Sequence, residues 1–349
     1  MKRVVIIGGG VAGLSAALSL EQRGIHSVII EKEAELGGLC AELGCKGVVK
    51  CVRCDVCLVM NMVGQVKASP GIERIRGSEL SSVSGKPGDF RLTIRRTDNG
   101  QRSILRAGAI ICATGGEPFD ARLDKRLGYG EVEDVITSLD LELQLSRAGK
   151  ASVPSTGQAP RKVAFILCVG SRDELSDAGY CSKACCKYSF KLGQALRSID
   201  PECEVTFLFM DWRLYDPREN VRVWASGERG VRLVRSRPAE VVMAEGAGPE
   251  VRFASEGDKG IESEVFDLVV LSVGIRPSKD AQELSRTLHV EADAHGFMRS
   301  REGEPCTSTR EGIFLAGTCS GPKEIVECAK HGAAAASKAV ALMGGFDER

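Results

Sequence analysis

Two groups of the fourteen cysteines in this 349-residue chain are spaced closely enough to do chemistry. Cys181, Cys185 and Cys186 fall within the short run "YCSKACC", downstream of Cys168 at the end of "KVAFILCVG". Cys40, Cys45, Cys51, Cys54 and Cys57 form the other group, the last three spaced C-x2-C-x2-C. The cytoplasm is the compartment expected for this chain, and clustered thiols there read as metal or redox sites, not as a disulfide framework.

Four thiolates from one short excursion can surround one small object. A [4Fe–4S] cluster takes four thiolates and exchanges single electrons. Structural zinc also takes four, but usually from paired C-x2-C knuckles, which this segment lacks. A redox dithiol needs two, usually as C-x-x-C, where the segment has C-x3-C-C. The cluster suits the count and spacing best; zinc and dithiol stay open. In the first group Asn61 stands where a ferredoxin run would carry its fourth cysteine, so a second cluster would draw on Cys40 or Cys45. The competing reading is of reactive or buried thiols. Cys112, Cys203, Cys306, Cys319 and Cys328 are single and read as packing residues. His26, His289, His295 and His331 are isolated, and none is assigned a catalytic role. Asp211-Trp212-Arg213 and Tyr215 read as a loop that packs or meets a partner.

The elements that must position these groups repeat. "RVVIIGGG", "GLSAALSLEQRG" and "SVIIEKE" make a strand–helix–strand unit. "FRLTIRRTDNGQRSILRAG" alternates around Asp98-Asn99-Gly100 as a hairpin, and "AIICATGG" is a buried strand ending in glycines. After a linker-like stretch, "KASVPSTGQAPR", the pattern restarts with "KVAFILCVG", "SFKLGQALRSI", "EVTFLFMD", a second meander and "FDLVVLSVGIRP". The expected fold is α/β: two Rossmann-like domains, each with a β-meander. The first comprises residues 1–155 plus 286–349; the second, 156–285, carries the cysteine-rich segment. "GIFLAGTCSGPKEIVECAKHGAAAASKAVALMGG" is read as a strand, a loop and a helix completing the first domain, with Pro322 in the first helical turn. That helix N-terminus would stabilise an anionic group placed at it.

Gly8, Gly10 and Gly13 form G-x-G-x-x-G between strand and helix. Gly8 permits the tight turn, Gly10 lets the backbone approach a pyrophosphate, and Gly13 lets the helix pack on the strand. The phosphates would sit on the helix N-terminus. Glu31, after the second strand, can accept hydrogen bonds from ribose hydroxyls. The corresponding turn of the second domain reads Cys168-Val169-Gly170-Ser171-Arg172-Asp173. Its first glycine is a cysteine, and Asp173 replaces the helix-packing glycine and would repel a pyrophosphate. No nicotinamide is expected there.

With Gly37-Gly38, "CATGG" and "GIFLAGT" following in order, the chain resembles the two-dinucleotide-domain disulfide oxidoreductase flavoproteins, of thioredoxin reductase-like FAD/NAD(P)-binding fold. The resemblance implies FAD in the first domain. The candidate cofactor-binding residues are Gly8, Gly10, Val11, Ala12, Gly13, Glu31, Lys32, Gly37, Gly38, Leu39, Ala113, Thr114, Gly115, Gly317, Thr318 and Ile325. Thr318 stands where the family's G-x-F-x-A-G-D segment has an Asp at the ribityl chain; a hydroxyl can bond there too.

"CVGSRDE…YCSKACCKYSFK", "FMDWRLYD" and "LAGTCSGPKEI" further resemble the A subunit of heterodisulfide reductases. They are similar also to related subunits of quinone-interacting oxidoreductase complexes. The chain is most like the compact subunit of heterodisulfide reductase-like complexes in sulfur oxidisers. This resemblance implies an atypically ligated [4Fe–4S] cluster near the FAD on Cys168, Cys181, Cys185 and Cys186. It implies B- and C-type partner subunits, and a homodimer. The ferredoxin-like insert C-x2-C-x2-C-x3-C-P does not occur, which favours a relay between electron pairs and single electrons over bifurcation. The alternatives are a thioredoxin reductase-like NADPH-dependent disulfide reductase and a zinc-stabilised flavin-binding scaffold.

Composition bounds the partners. Lys+Arg and Asp+Glu both number 47, which argues against nucleic acid. No run of eighteen apolar residues exists, so no membrane insertion is expected. The start "MKRVVIIGGGVAGLSAALSL" imitates a signal peptide, but its spaced glycines are those of the nucleotide turn.

Overall fold

The computed structural model describes residues 3–47, 49, 51–214, 219–255 and 260–344. The chain divides into two units: residues 1–42, 55–117 and 276–349, and residues 43–54 and 118–275.

In the first unit a seven-stranded sheet runs in the order Ser300–Arg301, Glu304–Ser308, Ile313–Leu315, Ala109–Cys112, Arg3–Ile7, His26–Ile30, Ile72–Ile75. The last five are parallel; the first two add an antiparallel edge. Period-2 geometry sends Val4 and Ile6 to one core and Val5 and Ile7 to the other. Both faces are therefore buried, as a parallel sheet requires. One core lies under the helices Val11–Glu21 and Ile325–Gly344, the other under the meander Ser78–Lys86, Asp89–Arg96, Arg102–Ala107. The two helices approach closely because Gly332 has no side chain: a Cβ there would stand 2.1 Å from the Ala12 carbonyl oxygen.

The second unit repeats the plan. Its parallel sheet runs Val231–Val234, Glu204–Leu208, Lys162–Val169, Leu268–Val273, Val135–Thr137, with the meander Glu240–Ala244, Gly248–Ala254, Ile261–Val265. Val163, Phe165 and Leu167 enter one core, and Ala164 and Ile166 the other. The helix Ala184–Ile199 covers the first of these.

Three boundaries differ from expectation. The first unit ends at Glu117, not near 155, because Val135–Thr137 pairs with Leu268–Val273 and carries the helix Ser138–Ala148 into the second unit. The chain returns at Arg276, not 286. Pro322 precedes the last helix: helical bonding begins with the Cys328 N–H donating to the Glu324 carbonyl at 2.8 Å, and the helix spans Ile325–Gly344. Among the described residues no helix is long and apolar enough to cross a membrane.

Candidate functional site

The glycine turn of the first unit behaves as its spacing requires. Gly8 has φ +102°, and a Cβ on it would meet the Ala113 carbonyl oxygen at 2.4 Å; one on Gly13 would meet the Gly8 oxygen at 2.0 Å. Gly10 differs: the nearest atom to a Cβ there is the Gly38 Cα at 4.0 Å. Gly10 begins the helix Val11–Glu21 without a side-chain cap, and no acidic residue lies in the first turn. Open space above uncapped N–H groups is the cradle an anionic pyrophosphate fits. Gly10 bridges to Gly37, so the Gly37-Gly38-Leu39 loop lies against the turn. The Glu31 carboxylate accepts from the Gly9 N–H at 2.7 Å and the Glu33 N–H at 2.9 Å, and each oxygen retains acceptor capacity. Ala113-Thr114-Gly115 follows the strand beside Gly8, with Thr318 Oγ1 3.7 Å from the Cβ position of Gly115. Gly317 packs on Ala12, and Ile325 starts the last helix. Lys32 instead meets Asp280 at 3.6 Å, both half exposed.

His331 holds the Gly317 loop, a role no spacing in the sequence signals. Its Nδ1 accepts from the Gly317 N–H at 2.9 Å, so Nε2 carries the proton, 3.1 Å from the Pro305 carbonyl. Burial, and then the charge of Lys323, lower its pKa. Cys112 and Cys319 are not single packing residues either. Both are buried; the Cys319 thiol donates to the Cys112 carbonyl at 3.2 Å and the Ala316 carbonyl at 3.3 Å, and the proximity of the two thiols raises Cys112 and lowers Cys319.

In the second unit the strands Lys162–Val169 and Leu268–Val273 lose register between Ile166 and Val169. Cys168 sits at that break with φ +63°, in the place Gly8 holds in the first unit. Left-handed backbone costs an L-residue about 1–2 kcal/mol that glycine escapes. Residues 170–183 then leave the sheet before the helix Ala184–Ile199 begins. Asp173 is therefore not at a helix-packing position; it accepts from Arg237 at 2.6 Å, with Arg126 at 3.8 Å. Six of the seven non-glycine residues with positive φ among the described residues lie in the two cysteine segments: Arg53, Asp55, Cys168, Arg172, Asp177 and Lys183. Strain held at chosen residues marks places where side-chain position matters.

Cys168 and Cys185 bring their Sγ atoms to 4.0 Å, and Cys186 follows Cys185 with its Sγ 3.9 Å from the Asp211 carbonyl. The Cys181 thiol accepts from the Lys183 N–H at 3.3 Å. Contact with the Cys168 and Cys186 thiols holds Cys185 well below the usual thiol range; those same contacts, with burial, push Cys168 and Cys186 up. Cys185 and Cys186 also occupy the first turn of an uncapped helix, whose N–H groups favour negative charge. Asp211 accepts from Arg172, and from Arg213 Nε at 3.2 Å, and the Arg213 guanidinium bears on Cys181. Trp212 packs on Phe207 and Phe209 at ring-centroid distances of 5.5 and 5.2 Å. The Asp211-Trp212-Arg213 loop thus belongs to the cysteine site, while Tyr215 lies outside the described residues.

Ser171 and Ser182 are fully buried in the same place, and their hydroxyls have no hydrogen-bond partner. Four thiols, an uncapped helix terminus and two unpartnered hydroxyls fit a sulfur-ligated, negatively charged group. Among the described residues no three His, Cys, Asp or Glu side chains stand at single-ion spacing. All fourteen cysteines are free thiols. Of the first group, Cys45, Cys51 and Cys54 belong to the second unit and Cys40 and Cys57 to the first. Within the second unit, the ammonium of Lys46, beside Cys45, is buried on Glu142 at 2.7 Å and over the Tyr188 ring at 4.9 Å.

Residues 2–336 match the pyridine nucleotide-disulphide oxidoreductase family. The A subunit of the ferredoxin/F420H2-dependent CoB-CoM heterodisulfide reductase of Methanosarcina acetivorans is 32% identical over 98% of this chain and 53% of its own length. The iron-sulfur A subunit of the CoB–CoM heterodisulfide reductase of Methanocaldococcus jannaschii is 30% identical over 96% of this chain and 63% of its own. The chain thus spans little more than half the length of these relatives. Their alignments exceed its 349 residues, so they carry inserted segments within the matched span. Lactococcus lactis thioredoxin reductase superposes with a TM-score of 0.64 at 16% identity, covering 99% of this chain and all of its own. It shares the fold: two dinucleotide-binding-type α/β units in one chain. The chain belongs to the pyridine nucleotide-disulphide oxidoreductase family, as a homologue, along almost its whole length, of the A subunits of heterodisulfide reductases.

Proposed function

We propose that this protein is the electron-transfer subunit of a cytoplasmic heterodisulfide reductase-like complex. In this reading it binds FAD in the first unit and a [4Fe–4S] cluster through Cys168, Cys181, Cys185 and Cys186 in the second. The observation that carries it is the approach of the Cys168 and Cys185 sulfurs to 4.0 Å, with Cys186 adjacent, at a strained strand end and a helix N-terminus, at the turn that corresponds to the glycine turn of the first unit. The flavin supplies exchange of electron pairs and the cluster exchange of single electrons. The chain's own residues bind and orient. The amides after Gly10 receive the pyrophosphate, Glu31 the adenosine ribose, and Thr318 the ribityl side. Cys185 and Cys186 present thiolates from the helix terminus, and Arg172 and Arg213, tied by Asp211, keep positive charge beside them. Such a subunit relays electrons to B- and C-type partners that handle thiol or disulfide sulfur, and forms the homodimer the resemblance implies.

Anaerobic purification with iron, sulfide and flavin analysis tests this. About four irons per flavin are expected. Cys186→Ser should lose iron and keep FAD. An iron-free wild-type protein, or full iron in Cys186→Ser, rejects the ligand set. Flavin bleaching by NADPH alone in an iron-free preparation would favour an NADPH-dependent disulfide reductase instead.

A further inference from the structure

Ser171 lies three residues after Cys168, and Ser182 directly after Cys181, so each cysteine-bearing stretch brings one serine. Both side chains are wholly buried. They converge on Gly274: a Cβ there would stand 3.0 Å from the Ser171 Cβ and 3.2 Å from the Ser182 Cβ. The Ser171 N–H donates to the Cys168 carbonyl at 3.1 Å, and the Ser182 carbonyl accepts from the Ala184 N–H at 2.6 Å, one residue before Cys185. Both serines are thus tied by backbone to ligand-bearing turns. Their hydroxyls still have no partner. By contrast, the nearby Ser189 and Ser272 satisfy each other at 2.6 Å. A buried hydroxyl without a partner is destabilising, so two at one place call for an acceptor.

We infer that Ser171 and Ser182 donate their hydroxyl hydrogens to the sulfur atoms of the cluster site and thereby set its reduction potential, an assignment that rests on the [4Fe–4S] reading above. An O–H donor withdraws charge from sulfur and so favours the reduced, more negative state; removing it lowers the potential.

EPR-monitored titration with dithionite and mediators, with iron and sulfide analysis alongside, tests this in the intact chain. Ser171→Ala and Ser182→Ala are expected to keep their iron. At a fixed ambient potential their ratio of reduced to oxidised cluster should fall about threefold to tenfold, tenfold being about 59 mV for one electron. Ser182→Thr, which keeps the hydroxyl, should stay near wild type. Iron-loaded alanine variants with the wild-type potential overturn the assignment. So does loss of iron from both, which makes the hydroxyls part of the fold. A wild-type protein without iron or sulfide instead defeats the cluster reading itself, and the two failures are distinguishable.

Discussion

Cys168 and His331 are two single residues whose settings, a left-handed backbone and a pair of hydrogen bonds, are seen only in the folded chain. Cys168 keeps a left-handed backbone that glycine occupies freely at the matching turn of the first unit. A position where glycine is favoured by about 1 kcal/mol and cysteine stands is kept for the thiol. His331 is held neutral by burial and by the charge of Lys323, with Nδ1 accepting from the Gly317 N–H. Its folded pKa lies below the unfolded value near 6.5, so between the two the unfolded chain binds more protons. This contribution is complete above about pH 6.5 and is lost as pH falls through that window. The thermal midpoint of the wild-type protein should therefore drop more steeply between about pH 7 and about pH 5.5 than that of His331→Gln. Parallel profiles in a fluorimetric melting series would show that His331 does not carry this dependence.

At the scale of elements, close approach decides what the first unit can hold. The helices Val11–Glu21 and Ile325–Gly344 meet through Ala12 and Gly332, and the same contact supports Gly317 on the Ala12 methyl. Gly332→Ala would push a methyl into the Ala12 carbonyl, and overpacking of this kind costs about 1–3 kcal/mol. Because the N-terminal turn of the first helix is also the pyrophosphate cradle, the variant is expected to melt earlier and to purify with less flavin. Unchanged flavin absorbance per protein would show that the cradle does not depend on this contact. In the second unit the excursion 170–183 has the opposite effect. It lengthens the connection between the strand end and the helix N-terminus, and there Cys168 and Cys185 bring their sulfurs to 4.0 Å.

For the molecule as a whole, the cofactor inventory turns on which unit owns the first cysteine group. Residues 43–54 belong to the second unit, fastened by the buried Lys46–Glu142 pair and by Gly44, where a Cβ would lie 2.1 Å from the Ser146 Cβ. Removing one partner of such a pair strands a buried charge and costs about 3–5 kcal/mol. Cys45 and Cys51 are exposed on this segment, and Cys54 half-buried. One cluster, not two, is therefore expected: Cys51→Ser/Cys54→Ser should retain about four irons per flavin. A fall in iron on this double substitution would mean that a second cluster is bound.

Much of this was legible in the sequence. The strand–glycine turn–helix repeats, both meanders and the returning last helix follow from local periodicity and turn residues, which act over a few positions. The thiol count and the loss of glycine at Cys168 were equally plain. Only the folded chain decided where the units part, because Val135–Thr137 joins its sheet through pairing with a strand more than a hundred residues later. It alone brought Asp211 to Arg172 and Cys186, set the Cys319 thiol on the Cys112 carbonyl, and left the Ser171 and Ser182 hydroxyls buried without partners. Such contacts depend on burial and on distant backbone meeting in space, and no spacing along the chain encodes them.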